Sequence, residues 1–170
     1  MTSRRRHGAR GTALMETAII LPFLLTLIMA VTDFGRLISL RQDMSDAARD
    51  AANIVSRGGV PQDGITSVTV AGSRFAPPTS DGVVIVSTIT AHTSNDSTPW
   101  VIDQESTGGL SATSRIGSMN AKATVPGFTT LTSGMTLTVV ELYHAFTPAF
   151  PLKGFGLNIY PAQVYELAVF

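Results

Sequence analysis

Glu16 is the residue whose surroundings most demand a chemical explanation. It is the only ionisable side chain between Gly11 and Thr32, in the run GTALMETAIILPFLLTLIMAVT. A carboxylate in hydrocarbon is costly, and helices that carry one ordinarily supply it with a partner or keep it at a wet boundary. Other candidates for chemistry are weaker. GLSAT at 109–113 lacks the second glycine of a nucleophile elbow, and GFGLNI at 154–159 breaks the dinucleotide pattern at its last position. His7, His92 and His144 are too few and too dispersed for a metal site. A catalytic pair of Ser111 and His144 is set aside in favour of a structural reading of both, and no catalytic residue, metal or cofactor is expected. The chain reads as a structural protein rather than an enzyme, and no small-molecule substrate is expected.

The element that must position Glu16 is a membrane helix. As a helix, Gly11 to Thr32 would reach roughly 33 Å, close to the thickness of a bilayer core. Thr17 to Thr32 alone would reach only roughly 24 Å, so Glu16 belongs at or just inside the boundary. Arg4, Arg5, Arg6 and Arg10 precede the span with no acid among them. By the positive-inside rule they hold the N-terminus in the cytoplasm and send the remainder out. A cleaved secretory signal has the same beginning, but here no small-x-small break ends the apolar run.

Instead the sequence continues as AVTDFGRLISLRQDMSDAARDAANIVSRGG. Apolar residues recur at Phe34, Leu37, Leu40, Met44, Ala47 or Ala48, Ala51 and Ile54 or Val55, which is a helical stripe. Gly58 and Gly59 supply a stop. One helix is therefore expected from about Thr12 to about Arg57, with its first half in lipid and its second half in water.

Beyond residue 58 the composition turns to Thr, Ser, Val and Gly. ITSVTVA (65–71), GVVIVSTITAH (82–92), MTLTVVEL (135–142) and QVYELAVF (163–170) are expected strands by alternation and β-branched content. RFAPPTSDG (74–82) and HTSNDSTPW (92–100) read as turns and loops, and 103–120 as a long exposed loop. Trp100, Tyr143, Phe146, Phe150, Phe155 and Tyr160 are expected mostly in the core. The expected fold class is α+β, with a small antiparallel sheet lying on the amphipathic half of the helix. Hydrophobic residues make up 44%, charged residues 14%, and the formal net charge is zero, so the basic excess of a nucleic-acid binder is missing. There is no cysteine, which excludes disulfides.

A basic leader, a glycine, a glutamate five residues later and a long half-apolar helix together resemble a type IV prepilin. The stretch RGTALMETAIILPFLLTLIMAVTDFGR, the following RQDMSDAARDAA and the later VVELYHAFTPAFPL resemble the TadE-like pseudopilins of the tight-adherence (Tad, or Flp) pilus system. The resemblance implies a minor pilin-like subunit with a leader at 1–11, a long helix at 12–57 and a β-rich extracytoplasmic head at 58–170. It implies cleavage by a prepilin peptidase between Gly11 and Thr12. Glu16 would then pair with the new Thr12 ammonium, within a subunit or between neighbours. The bland reading of Glu16 is a carboxylate at the headgroup boundary of an ordinary anchor. Pro22 is either a kink or a proline the membrane helix tolerates, and Asp33-Phe34-Gly35-Arg36 is the membrane exit. The implied partners are the peptidase, other pilin-like subunits of the Tad system and inner-membrane lipid. An unprocessed single-pass anchor presenting a β-rich binding domain remains the alternative.

Overall fold

The computed structural model describes residues 6–71, 81–150 and 159–170, with side chains from 11 onward apart from Ala71. Its elements are α1 (Arg6–Ser56), α2 (Pro61–Ala71), β1 (Gly82–Thr93), β2 (Asp96–Gly108), β3 (Thr136–Ala145) and β4 (Gln163–Val169). The strands form one antiparallel sheet in the order β2-β1-β3-β4. One long N-terminal helix with a four-stranded antiparallel sheet is the expected α+β, pilin-like arrangement. Two compact units divide the chain: 1–37 with 148–160, and 38–147 with 161–170.

In the larger unit, α1 presents the stripe that its sequence period requires. Met44, Ala47, Ala48, Ala51, Ala52 and Val55 are buried, and Asp46, Arg49 and Asp50 are exposed. Small alanines let another element approach closely, and Val55 meets Gly64 of α2. A Cβ on Gly64 would lie 2.8 Å from Val55 Cγ2 and 3.6 Å from Val86 Cγ2 of β1. The helix ends in a Schellman motif. Gly58 adopts φ 103°, its N–H donates to Val55 O (3.0 Å), and Gly59 N–H donates to Ile54 O (3.2 Å).

Three expectations are corrected. ITSVTVA is not a strand but most of α2, because helix-start chemistry overrides β-branched propensity. Pro61 occupies the first turn, and Asp63 reaches back to accept from Val60 N–H at 3.0 Å. Pro61, Gly64, Ile65 and Val68 are then buried at helical spacing. The HTSNDSTPW turn is only the tip of a hairpin, with β2 running from Asp96 to Gly108 through the stretch read as loop. Finally, 109–120 is irregular but not simply exposed. Ile116 is buried with Ile89, Val101, Val125, Leu131 and Val139, while Leu110 and Ala112 pack on Val83, Ile85 and Tyr143.

The sheet is therefore covered on both faces. Val86 faces α2, and the loop between β2 and β3 covers the opposite face. The outer edge of β2 is closed as well: Val101 N–H donates to Ala121 O, Ala123 N–H to Pro99 O and Leu131 N–H to Ser97 O. This burial of both faces explains why β1 is buried continuously from Gly82 to Ser87. Of the aromatics expected inside, Tyr143 and Phe146 are buried, Trp100 and Tyr160 are intermediate, and Phe150 is exposed. Phe155 lies outside the described residues.

Candidate functional site: the anchor helix and its exit

Every residue from Gly11 to Leu25 is exposed, and an apolar window long enough to cross a membrane contains no buried residue. The apolar N-terminal helix fits a single-pass membrane anchor. It is continuous from Arg6, so Gly11 and Thr12 lie inside helix rather than at its start. A Cβ built on Gly11 meets nothing within 4 Å. Packing among the described residues gives no reason for a glycine there, although glycine costs about 1 kcal/mol against alanine inside a helix. Arg4 and Arg5 lie outside the described residues, and Arg6 and Arg10 are in helical backbone whose side chains are not described.

Glu16 is exposed and makes no hydrogen bond or ion pair among the described residues. The next residue, Thr17, donates its Oγ1–H to Ala13 O (2.8 Å), a local bond that leaves the carboxylate unassisted. The helix passes through Pro22 without ending. Pro22 has no N–H to give, but its carbonyl accepts from Thr26 Oγ1 at 2.8 Å, and Thr32 does the same for Ile28 O. Hydroxyls that bond back to their own helix remove polar groups from contact with lipid.

At the exit the structure assigns the residues of Asp33-Phe34-Gly35-Arg36 very different surroundings. Asp33 is fully buried, while Phe34 is 57% exposed, which reverses the expected place of Phe34 in the stripe. The Asp33 carboxylate accepts from Ala149 N–H (2.9 Å), Phe150 N–H (2.8 Å) and Arg36 Nη1 (3.0 Å). Tyr160 Oη donates to Ala30 O at 2.9 Å. The connection between β3 and β4 is thus fastened to the helix at both ends of the 148–160 segment. Gly35 has open space where a Cβ would be. The sequence marked these four residues only as the end of the span; nothing local signalled an acceptor for two amides more than a hundred residues away.

A second carboxylate was missed altogether. Glu141 of β3 is fully buried, on the loop-covered face opposite Ile85. It accepts from Ser114 Oγ, Arg115 N–H (2.9 Å), Tyr143 Oη (3.1 Å) and Tyr165 Oη (3.1 Å). The Arg115 guanidinium lies 4.1 Å from the Tyr165 ring centroid. Burial first, and then the adjacent Glu141 charge, push the Tyr143 phenol up to about 12; Tyr165 is raised by the same causes. This network staples the 109–118 loop to the sheet. Its only sequence signal was an acid at an inward position of an otherwise apolar strand. At the β1–β2 tip, Asp96 accepts from Thr98 and contacts His92 Nδ1 at 3.0 Å, which lowers its pKa to about 2.

An apolar exposed helix of spanning length, followed by an amphipathic half on an antiparallel sheet, defines the class as a pilin-like α+β protein whose N-terminal helix fits a single-pass membrane anchor. Residues 11–53 match the family model described as TadE-like protein, the family that the resemblance named. No curated protein and no solved structure matches the chain.

Proposed function

We propose that the protein is a minor pilin-like structural subunit, a pseudopilin, of a Tad pilus assembly or secretion apparatus. A prepilin peptidase cuts between Gly11 and Thr12, and the arginines at 4, 5, 6 and 10 keep that end cytoplasmic in the inner membrane. The head then lies outside. The new Thr12 ammonium and the Glu16 carboxylate, one helical turn apart, give each subunit a positive and a negative group with which to set the axial register of packed helices.

The observation that carries this reading is Glu16 itself. It is a carboxylate in an apolar helix matched to the family, and it has no donor among the described residues. Its partner is therefore sought at the cut end or on a neighbouring subunit. The open space at Gly11 supports the same reading, since that glycine is then required by the peptidase rather than by the fold.

The mass of the mature chain tests the cut. The wild-type protein should begin at Thr12; Gly11→Leu should insert and fold, since a Cβ there meets nothing within 4 Å among the described residues, and should keep Met1, since the peptidase must admit a residue with almost no side chain. A wild-type protein that retains Met1 would be an unprocessed anchor. A Gly11→Leu protein that still begins at Thr12 would show that the cut is misplaced.

A further inference from the structure

The connection between β3 and β4 spans 17 residues, 146–162, between Ala145 and Gln163. Its two described ends, Pro148–Phe150 and Ile159–Tyr160, are fastened to α1 at one level, between Ala30 and Asp33. That level is where the uncharged span ends, because Asp33 is the first ionisable residue after Glu16.

The attachment hides the polar groups and leaves the apolar ones outside. Asp33 is fully buried beneath the Ala149 and Phe150 amides, whereas Val31 (64%), Phe34 (57%) and Ile159 (56%) stay exposed. Ala30, Val31, Phe34, Ile159 and Tyr160 line one apolar groove. It is continuous with the bare apolar surface of the span, which includes Leu27 and Ile28. Tyr160 has the amphipathic character typical of membrane interfaces, with its hydroxyl occupied by the helix and its ring in the groove.

We infer that the two described ends of this connection, 148–150 and 159–160, form an interfacial foot: Asp33 holds them against α1 so that Phe34, Ile159 and the Tyr160 ring contact the headgroup–acyl boundary of the lipid bilayer. Asp33 is the positioning residue, and the lipid contact is made by the apolar side chains. The inference rests on the anchored reading of α1, and lipid is the favoured occupant because the groove continues the surface that the span already gives to lipid.

The test uses the full chain in vesicles containing lipids brominated near the headgroup end of the acyl chain. Trp100→Phe removes the only tryptophan, and single tryptophans are then introduced as Ile159→Trp, Ile20→Trp in the span and Ile102→Trp on β2. Ile159→Trp should be quenched roughly threefold more than Ile102→Trp, as expected for a side chain at the interface rather than in water. Quenching of Ile20→Trp with Ile159→Trp no better than Ile102→Trp would overturn the foot and leave the anchor intact. Quenching at neither position would overturn both. Crosslinking of Ile159→Cys to a second copy, with Ile159→Trp unquenched, would assign the groove to a seam between chains and overturn the lipid contact. Adding Asp33→Ala should halve the Ile159→Trp quenching or better and spare Ile20→Trp, with Asp33→Asn between them. No change at Ile159 would overturn the positioning role of Asp33.

Discussion

The head and the anchor treat their carboxylates in opposite ways. In the head, Glu141 has no exposed surface and four donors, two of them phenols from different strands. In the anchor, Glu16 sits on an apolar helix with open surroundings and no donor among the described residues. Asp33, at the boundary, is treated as in the head, with two backbone amides and an arginine. A fold that surrounds a charge with donors is using it internally. A fold that leaves one bare in an apolar surface is offering it outward, because an unpaired charge in hydrocarbon is a loss that only a partner or water can offset.

The largest effect that sharpens this contrast is expected at Glu141. Glu141→Ala removes the acceptor for four donors on the covered face and should cost about 3–5 kcal/mol of head stability. Denaturant unfolding of the detergent-solubilised chain, followed by Trp100 fluorescence, reads it directly. A loss below about 1 kcal/mol would mean that water or other groups already serve those donors, and the contrast with Glu16 would weaken.

Asp33→Ala comes next. It strands the Ala149 and Phe150 amides, for about 2–3 kcal/mol of local stability. The readout is protease cleavage within 148–160, which should accelerate while the Trp100 unfolding transition stays near that of the parent. An unchanged cleavage rate would show that Tyr160 and packing hold the segment without the carboxylate.

Alkaline pH provides a subtler probe of the head. The folded-state pKa of Tyr143 is raised from 10.0 to about 12, so the unfolded chain surrenders its proton first. Stability from this group is fully present below pH 10 and is lost as pH rises from about 10 to about 12, by about 2 kcal/mol. Tyr143→Phe should flatten that decline in a pH series of unfolding midpoints. A decline as steep as the parent's would place the titration elsewhere.

What the sequence made legible was what depends on period or on a local signal. The stripe from Met44 to Val55, the glycine stop at 58–59 and the apolar runs of β1, β3 and β4 all appear where expected. The misses have local causes of another kind. In ITSVTVA, β-branched residues satisfied a strand template while the start signals Pro61 and Asp63 sat just upstream. β2 carries a polar outer half, DQESTG, because an edge strand has less apolar surface to hide. Phe34 took the place in the stripe that belongs to Asp33, since an acid was not expected to be the buried neighbour. Both carboxylate networks join residues far apart in sequence, Asp33 with Phe150 and Glu141 with Ser114 and Tyr165. No local pattern encodes such a pairing.

The smallest effect in free energy bears on the central claim, that Glu16 is offered to a partner subunit. Glu16→Ala should insert and be processed normally, since loss of a charge eases entry into lipid. It should also lower association with other pilin-like subunits roughly tenfold, equivalent to about 1.4 kcal/mol. Glu16→Asp, which keeps the charge but loses reach, should fall between. The measurement is crosslinking in the membrane to partner pilins, with the mature N-terminus verified as Thr12 in each variant. The account predicts crosslinking that falls from the parent through Glu16→Asp to Glu16→Ala. Equal crosslinking in all three, with normal processing, would contradict it.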